Sequence, residues 1–419
     1  MVGYSGGLDS SVLLHALANN AGVRANGLRA IHVHHGLHAD ADAWATHCTR
    51  TCAALEVPLL LAHVDVEHHS GLGLEGAARA ARHRAFSDAL RDGEILALAH
   101  HRDDQAETFL LRALRGSGID GLASMRAWRA HGHAWLWRPL LGLPRDALRA
   151  YASDHSLPWI EDPANADDGF DRSFLRTRLL PLLRERWLHA DAALARSAAL
   201  AAQAADLLDI DDARSLAGLR RVERTLDATA LLALPAARRA RVLRRWIAGL
   251  GLPPLPASGV RAIESDLLQA NANAEARFEW AGACVRRWRN LLHADVLRAP
   301  LPKDWSCAWD GHLPLQLPTG DRLELWGADA FDAPLRVHAR RGGERIALPR
   351  RSHHHALKQV LHDHAMPSWE RARMPLLSDA DGELLAAGDG ILSARLEAWL
   401  GTHGARLHWR KLGECPANQ

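Results

Sequence analysis

Apolar residues in the first 155 positions come in short runs that alternate with helical spacings. After Met1–Tyr4, the runs Leu28–His35, Val57–Val66, Glu94–His100 and Ala134–Leu141 have the length of buried strands. Between them, the residues after Ser11, then Ala41–Leu55, Leu74–Leu90, Asp103–Leu114 and Arg145–His155 follow a helical period, the last opened by Pro144. Strand and helix recurring every ~20–35 residues predict an α/β fold with a doubly wound parallel sheet. Ligands of such sheets bind beyond the strand C-termini, at the topological switch point. Only four residues precede Ser5. The first strand is therefore unusually short, or the given start lies downstream of the true one.

The pattern then changes. Ala190–Asp212 reads as a long Ala-rich helical linker, and residues 1–190 as the domain before it. Ala230–Gly249 spaces Arg238, Arg241 and Arg245 on one helix face and sets Leu243, Trp246 and Ile247 inward. Pro253, Pro254 and Pro256 break it, a further helix runs to Ala270, and short β-like runs follow around Trp280, Trp288 and Trp305. We read a small helical domain over 213–295 and a small α+β C-terminal domain over 331–411.

Charge alters this picture locally. The 419 residues carry 51 Lys+Arg and 49 Asp+Glu, net +2, so no overall cationic field drives nucleic-acid binding. From Arg336 to Arg373, however, nine Arg/Lys stand against three acids, while residues 1–200 hold 21 and 23. A local basic excess is the footprint of contact with a phosphate backbone, although a solvated charged loop has the same composition. Arg340 and Arg341 are one of its two adjacent pairs, with Arg350 and Arg351 the other. Cys48, Cys52, Cys284, Cys307 and Cys415 are too few and scattered for a disulfide framework. No uncharged apolar run approaches the ~18 residues of a membrane span, and no leader is evident, so cytoplasm is the expected compartment.

The chemistry begins at Ser5-Gly6-Gly7-Leu8-Asp9-Ser10-Ser11, a glycine turn between a strand end and a helix. Adjacent glycines let backbone N–H groups approach a phosphate, and the helix start favours an anion. The segment lacks the Gly-Lys-Ser/Thr of a Walker A loop and the third glycine of a dinucleotide fingerprint. It resembles the SGGxDS loop of the PP-loop ATP pyrophosphatases, which cleave ATP between the α- and β-phosphates. His32-Val-His34-His35-Gly36 follows the second strand, where nucleotide contact and a solvated histidine run are both open readings. His100-His101-Arg102-Asp103-Asp104-Gln105-Ala106-Glu107 follows the fourth. There Asp104 and Glu107, at i and i+3, share a helix face. They suit Mg²⁺ or a substrate ammonium, and an acidic helix start also simply favours the dipole. Arg115 precedes Gly116-Ser117-Gly118, and Arg172 and Arg176 sit at i,i+4, where forked guanidinium groups suit phosphate.

Taken together, SGGLDS, HVHHGLHADAD, GLEGAARAARHRAF, HHRDDQAETFLLRALRGSGIDGL, RPLL, WIEDPAN and DRSFLRTRLLPLL resemble the tRNA(Ile)-lysidine synthetase family in content and order. The likeness runs from about residue 4 to 190, with weaker segments to about 395. Ser173 stands where the family has Asn after Arg. The resemblance implies a ligase that adenylates C2 of the wobble cytidine of the isoleucine tRNA with a CAU anticodon, using ATP and Mg²⁺. Free L-lysine then displaces AMP, which changes codon reading from AUG to AUA. It further implies that Ser5, Gly6, Gly7, Leu8, Asp9, Ser10 and His34 hold the nucleotide. Asp9 and Asp104 would bind metal, Asp104 and Glu107 lysine or metal, and Arg172 and Arg176 would act in catalysis. Arg82, Arg115, Arg340 and Arg341 would contact substrate. Two other classes compete. Thiolating PP-loop enzymes use paired or CxxC cysteines, a spacing that Cys48 and Cys52 lack. A catalytically inactive tRNA-binding protein would not need Asp9, Asp104 and Glu107 together.

Overall fold

The computed structural model describes residues 1–66, 73–161, 171–222, 224–269, 276–351 and 353–412. The chain divides into two compact units, Met1–Asp211 and Asp212–Gln419.

The first unit alternates as its apolar pattern predicts. Strands β1 (Val2–Gly3), β2 (Ala30–His34), β3 (Leu59–His63), β4 (Ile95–Ala97), β5 (Trp128–His131) and β6 (Ala134–Trp137) form one sheet in the order β3-β2-β1-β4-β6-β5. All neighbours are parallel except β5, which pairs antiparallel with β6 at the edge. Helices α1 (Leu8–Ala18), α2 (Ala21–Ala25), α3 (Ala41–Ala54), α4 (Gly73–Ala89), α5 (Arg102–Leu114), α6 (Ile119–Leu122) and α7 (Arg145–Asp154) connect them. Two buried clusters lie against the sheet. Val2, Leu13, Leu14, Cys48, Cys52, Leu148 and Ala152 bring α1, α3 and α7 together, and Ile31, Phe86, Leu96 and Leu136 seat α4.

The connection order fixes the site. The chain leaves β1 toward β2 and β3, then returns past β1 to β4. The carboxyl ends of β1 and β4 are therefore the switch point, where a ligand reaches backbone from both connections. The glycine turn follows β1 and the His100–Glu107 motif follows β4. β1 is only two residues long, and pairing on both sides holds it: Val2 with Ala30 and Ala97, and Gly3 with Ile31.

Beyond α7, the helix Asp171–Phe174 passes into a π-helical stretch, Leu175–Leu179, and then into the helix Leu180–Arg186. The linker helix runs Ala190–Leu219, beyond the expected end at Asp212. In the second unit the spacing at Ala230–Gly249 resolves into two helices, Ala228–Leu232 and Ala236–Gly249. Pro235 caps the second in extended backbone, because proline has no N–H to donate and disfavours helix at the residue before it. Val242, Leu243, Trp246 and Ile247 are buried as the period requires. The β-like runs beyond pair with Thr225–Asp227 into a four-stranded antiparallel sheet through Arg277–Trp280, Ala283–Trp288 and Leu291–Val296. The C-terminal part is α+β. A seven-stranded sheet includes Leu335–His338, Leu376–Ser378 and Leu384–Ala387, and a three-stranded one ends on Arg406–Arg410.

Candidate active site

The turn after β1 is held from beneath. Gly6 has φ +84°, a left-handed conformation that glycine adopts without strain. A Cβ there would lie 2.9 Å from Ile160 Cδ1 and 3.0 Å from Cys48 Sγ. Ile160 N donates to the Gly6 carbonyl at 2.9 Å, and Ile160 forms a parallel bridge with Gly7. Ser10 Oγ donates to the Gly7 carbonyl at 3.0 Å and lies 3.0 Å from Ser5 Oγ. Gly7 is the N-cap of α1 and has no side chain with which to cap it. The first N–H groups of α1 are thus left for an anion.

The motif after β4 closes the other side. His101 is the N-cap of α5, and its N–H donates to Asp104 Oδ2 at 3.1 Å. The His101 ring is almost fully buried, with Nε2 3.6 Å from Asp9 Oδ2 and 3.4 Å from Asp104 Oδ2. One imidazole thereby links the phosphate turn to α5. Glu107, only 1% exposed, accepts from Arg172 Nε at 2.8 Å and from Arg176 Nε and Nη2 at 2.7 and 3.0 Å. Arg176 Nη2 also reaches Asp104 Oδ1 at 3.4 Å. The shared face of Asp104 and Glu107 is where Arg176 sits. Asp103 accepts from Arg145 N at 3.1 Å and from Arg184 Nη2 at 3.2 Å, which ties α5 to α7 and to Leu180–Arg186.

The charges follow from these contacts. Burial works to raise the Asp9 carboxyl, and His101, Arg145 and Arg176 outweigh it, leaving its pKa below the ordinary value. Burial opposes a charged His101, and Asp9, Asp104 and Asp103 overcome it, so its pKa is raised. His100, its neighbour, goes the other way. Burial and then Arg138, Arg172, Arg79 and Arg82 hold it well below the usual histidine value. The site therefore has an anionic half around Asp9 and Asp104 and a cationic half around His100.

Asp9 Oδ1 is enclosed and, among the described residues, accepts no hydrogen bond, with Arg145 Nε at 3.8 Å. A charged oxygen without a donor, beside a phosphate turn, fits a divalent cation that arrives with a nucleotide. Among the described residues, no group of three or more His, Cys, Asp or Glu is set to hold a metal by itself. Mg²⁺ has no need of one, since it takes one or two carboxylates and completes its shell with substrate oxygens and water.

The other expected residues lie further out. His34, at the end of β2, meets Asp42 at 3.0 Å and rests against the His63 ring. Arg82, on α4, lies close enough to His35, His83 and His100 to depress all three. Arg115 forms an exposed pair with Asp171 at 3.2 Å. In the second unit, Arg340 and Arg341 line a recess of about 500 Å³ with Lys303, Ser368 and Arg371. Asp162–Asn165 of the WIEDPAN segment and Cys415 lie outside the described residues. Burial pushes the Cys48 thiol up to about 12 and Cys52 to about 11, which leaves both thiols protonated in the core. His101, Arg138 and Ile160 had no role assigned from sequence. The one available signal was position, immediately after a predicted strand or within a family segment.

Known proteins resemble this chain along nearly its whole length. Residues 1–183 match the PP-loop domain family, 226–293 the TilS substrate binding domain and 335–409 the TilS substrate C-terminal domain. The tRNA(Ile)-lysidine synthase of Xanthomonas axonopodis pv. citri is 54% identical over 99% of this chain and 94% of its own length. The chain belongs to the tRNA(Ile)-lysidine synthase family. Synthases of this name from Xylella fastidiosa Temecula1 and Serratia proteamaculans are 51% and 42% identical, each over 98% of this chain. The chain is accordingly a PP-loop ligase that uses ATP to modify the wobble position of tRNA.

Proposed function

We propose that the chain joins free L-lysine to C2 of the wobble cytidine in the isoleucine tRNA with a CAU anticodon. The C2 oxygen attacks the α-phosphorus of ATP, and pyrophosphate leaves. The lysine ε-amine, having given up its proton, then attacks C2 and the C2–O bond breaks, releasing AMP. The observation that carries this reading is the continuous link from Asp9 through His101 to Asp104, next to Glu107 paired with Arg172 and Arg176. It puts carboxylates suited to an ammonium beside guanidinium groups suited to phosphoryl oxygens, at the switch point of the sheet.

In this reading the Ser5–Ser10 turn and the start of α1 bind the triphosphate. Asp9 and Asp104 hold Mg²⁺, which when bound neutralises phosphate charge. Asp104 receives the lysine ammonium, Glu107 holds Arg172 and Arg176 in place beside it, and the two arginines meet the anion that develops at the reacting phosphorus. Arg82 and Arg115 contact the tRNA near the site, and His34 the nucleotide. We assign ATP chemistry to residues 1–190, a linker to 191–212, and tRNA contact to 213–295 and to the basic part of 331–411, with Arg340 and Arg341 on phosphate. No described helix is long and apolar enough to cross a membrane, and cytoplasm is the proposed compartment. Pyrophosphate–ATP exchange tests the order of steps. Exchange that requires tRNA supports activation of the base, whereas exchange with lysine alone would mean that the amino acid is activated and would overturn it.

A further inference from the structure

Arg138 follows β6 and is 4% exposed. Among the described residues no carboxylate lies within ion-pair distance of it. Burial, and after it the charges of Arg129 and Arg79, bring its pKa down to about 10. A buried cation without a counter-ion is unfavourable, and an apolar side chain of similar volume serves packing better. Its hydrogen bonds show what it holds instead. Nη1 donates to the Arg126 carbonyl at 2.7 Å, and Nε donates to His100 Nδ1 at 3.3 Å.

The second bond decides the state of His100. A guanidinium only donates, so Nδ1 must accept, and the single proton of a neutral imidazole is then on Nε2. Among the described residues, no hydrogen bond is made by that Nε2. His100 as a residue is half-buried, and Arg172 and Arg82 are among the charges that act on it. We infer that Arg138 is a positioning residue: through its bond to Nδ1 it fixes His100 as the tautomer that offers Nε2–H to a carbonyl or phosphoryl oxygen of the bound substrates. A neutral donor fixed before substrate arrives stabilises an oxygen that gains charge without reorganising at that moment. The inference rests on the site proposed above and adds a pair, Arg138 and His100, that the carboxylate–arginine network does not contain.

The test uses the full chain with tRNA and ATP, reading single-turnover pyrophosphate release and the thermal midpoint. Arg138→Met slows release roughly tenfold or more at saturating ATP, with the KM for ATP changed little. Arg138→Lys, which keeps charge and a donor, recovers part of the rate. His100→Gln, whose amide N–H reaches the place of Nε2, is less impaired than His100→Asn. Combined with His100→Gln, Arg138→Met adds no further loss, because it acts through the residue already replaced. Multiplying effects in the double variant, or equal rates for His100→Gln and His100→Asn, would overturn the inference. The histidine pair needs no change at Arg138 and decides the matter even if Arg138→Met folds poorly. If both histidine variants work at the native rate while Asp104→Asn fails, the inference falls and the site stands. If Asp104→Asn also works normally, the reading of the site falls with it.

Discussion

Arg176 grips Glu107 with two parallel hydrogen bonds, Nε to Oε1 at 2.7 Å and Nη2 to Oε2 at 3.0 Å, and Arg172 adds a third at 2.8 Å. Glu107 is buried, so its oxygens are committed to arginines. Asp104 makes longer and weaker contacts to the same guanidinium groups, at 3.4 and 3.7 Å. Two carboxylates on one helix face therefore have different freedom to receive a ligand.

Asp104→Asn and Glu107→Gln should separate on that basis. Both abolish lysidine formation. Glu107→Gln also leaves two part-buried guanidinium groups short of a partner and lowers unfolding stability by about 2–3 kcal/mol. Asp104→Asn keeps an acceptor for the His101 N–H and costs less, about 1 kcal/mol. Pyrophosphate release and lysidine yield, measured separately, assign the roles. Loss of a metal ligand blocks release, and loss of a lysine holder leaves release but raises the lysine requirement. Normal rates in both assays would reduce the pair to a favourable helix start.

Gly6→Ala should weaken ATP binding more than it weakens the fold. An L-residue at φ +84° is strained by about 1–2 kcal/mol, and the new methyl meets Ile160 and Cys48 at about 3 Å. The turn must shift, and each ~1.4 kcal/mol by which it then binds phosphate less well is about tenfold in affinity. Titration with ATP checks this, and unchanged affinity would separate the turn from the nucleotide.

The parallel alternation and the phosphate turn were legible because each repeats a strong local rule: a strand-length apolar run, then a glycine turn, then a helix. The edge strand Trp128–His131 was not, because it is largely exposed and carries no apolar alternation. Pro235 dividing a helix is visible in sequence, but the Ala/Leu-rich residues before it and the arginine-rich period after it both read as helix and mask it. The faces of Arg172 and Arg176 followed from spacing, whereas their grip on Glu107 depends on how α5 meets Asp171–Leu179, a tertiary fact. His101 had no pattern at all, and two contacts made by one ring define it.

Arg340→Ala with Arg341→Ala should weaken tRNA binding and flatten its dependence on salt. Each phosphate that an arginine no longer neutralises lowers the log–log slope by roughly 0.7–0.9. ATP affinity stays as it was. An unchanged slope would return these arginines to a solvated face.

Glu94 offers a pH test of the first unit. Arg29 donates to it through Nε and Nη2, and Arg91 N adds a third bond. The Arg29 hydrogen bonds, more than any other contact, hold its carboxyl at about 2 against burial. The folded value lies below the unfolded one of ~4.3, so the stabilisation is complete above roughly pH 5 and is lost as pH falls through about 2. Glu94→Gln should cost on the order of 2 kcal/mol at neutral pH and progressively less as the pH approaches 2. A difference that persists undiminished in acid would contradict the pairing.

The product itself is the most direct test of the proposed reaction. Isoleucine tRNA with a CAU anticodon, incubated with the full chain, ATP, Mg²⁺ and L-lysine, is digested to nucleosides and weighed by mass spectrometry. The wobble cytidine should be replaced by a nucleoside heavier by one lysine less one water, with one AMP and one pyrophosphate formed per modified tRNA. A wobble cytidine of unchanged mass while ATP is consumed would contradict it, as would the same modification formed without lysine.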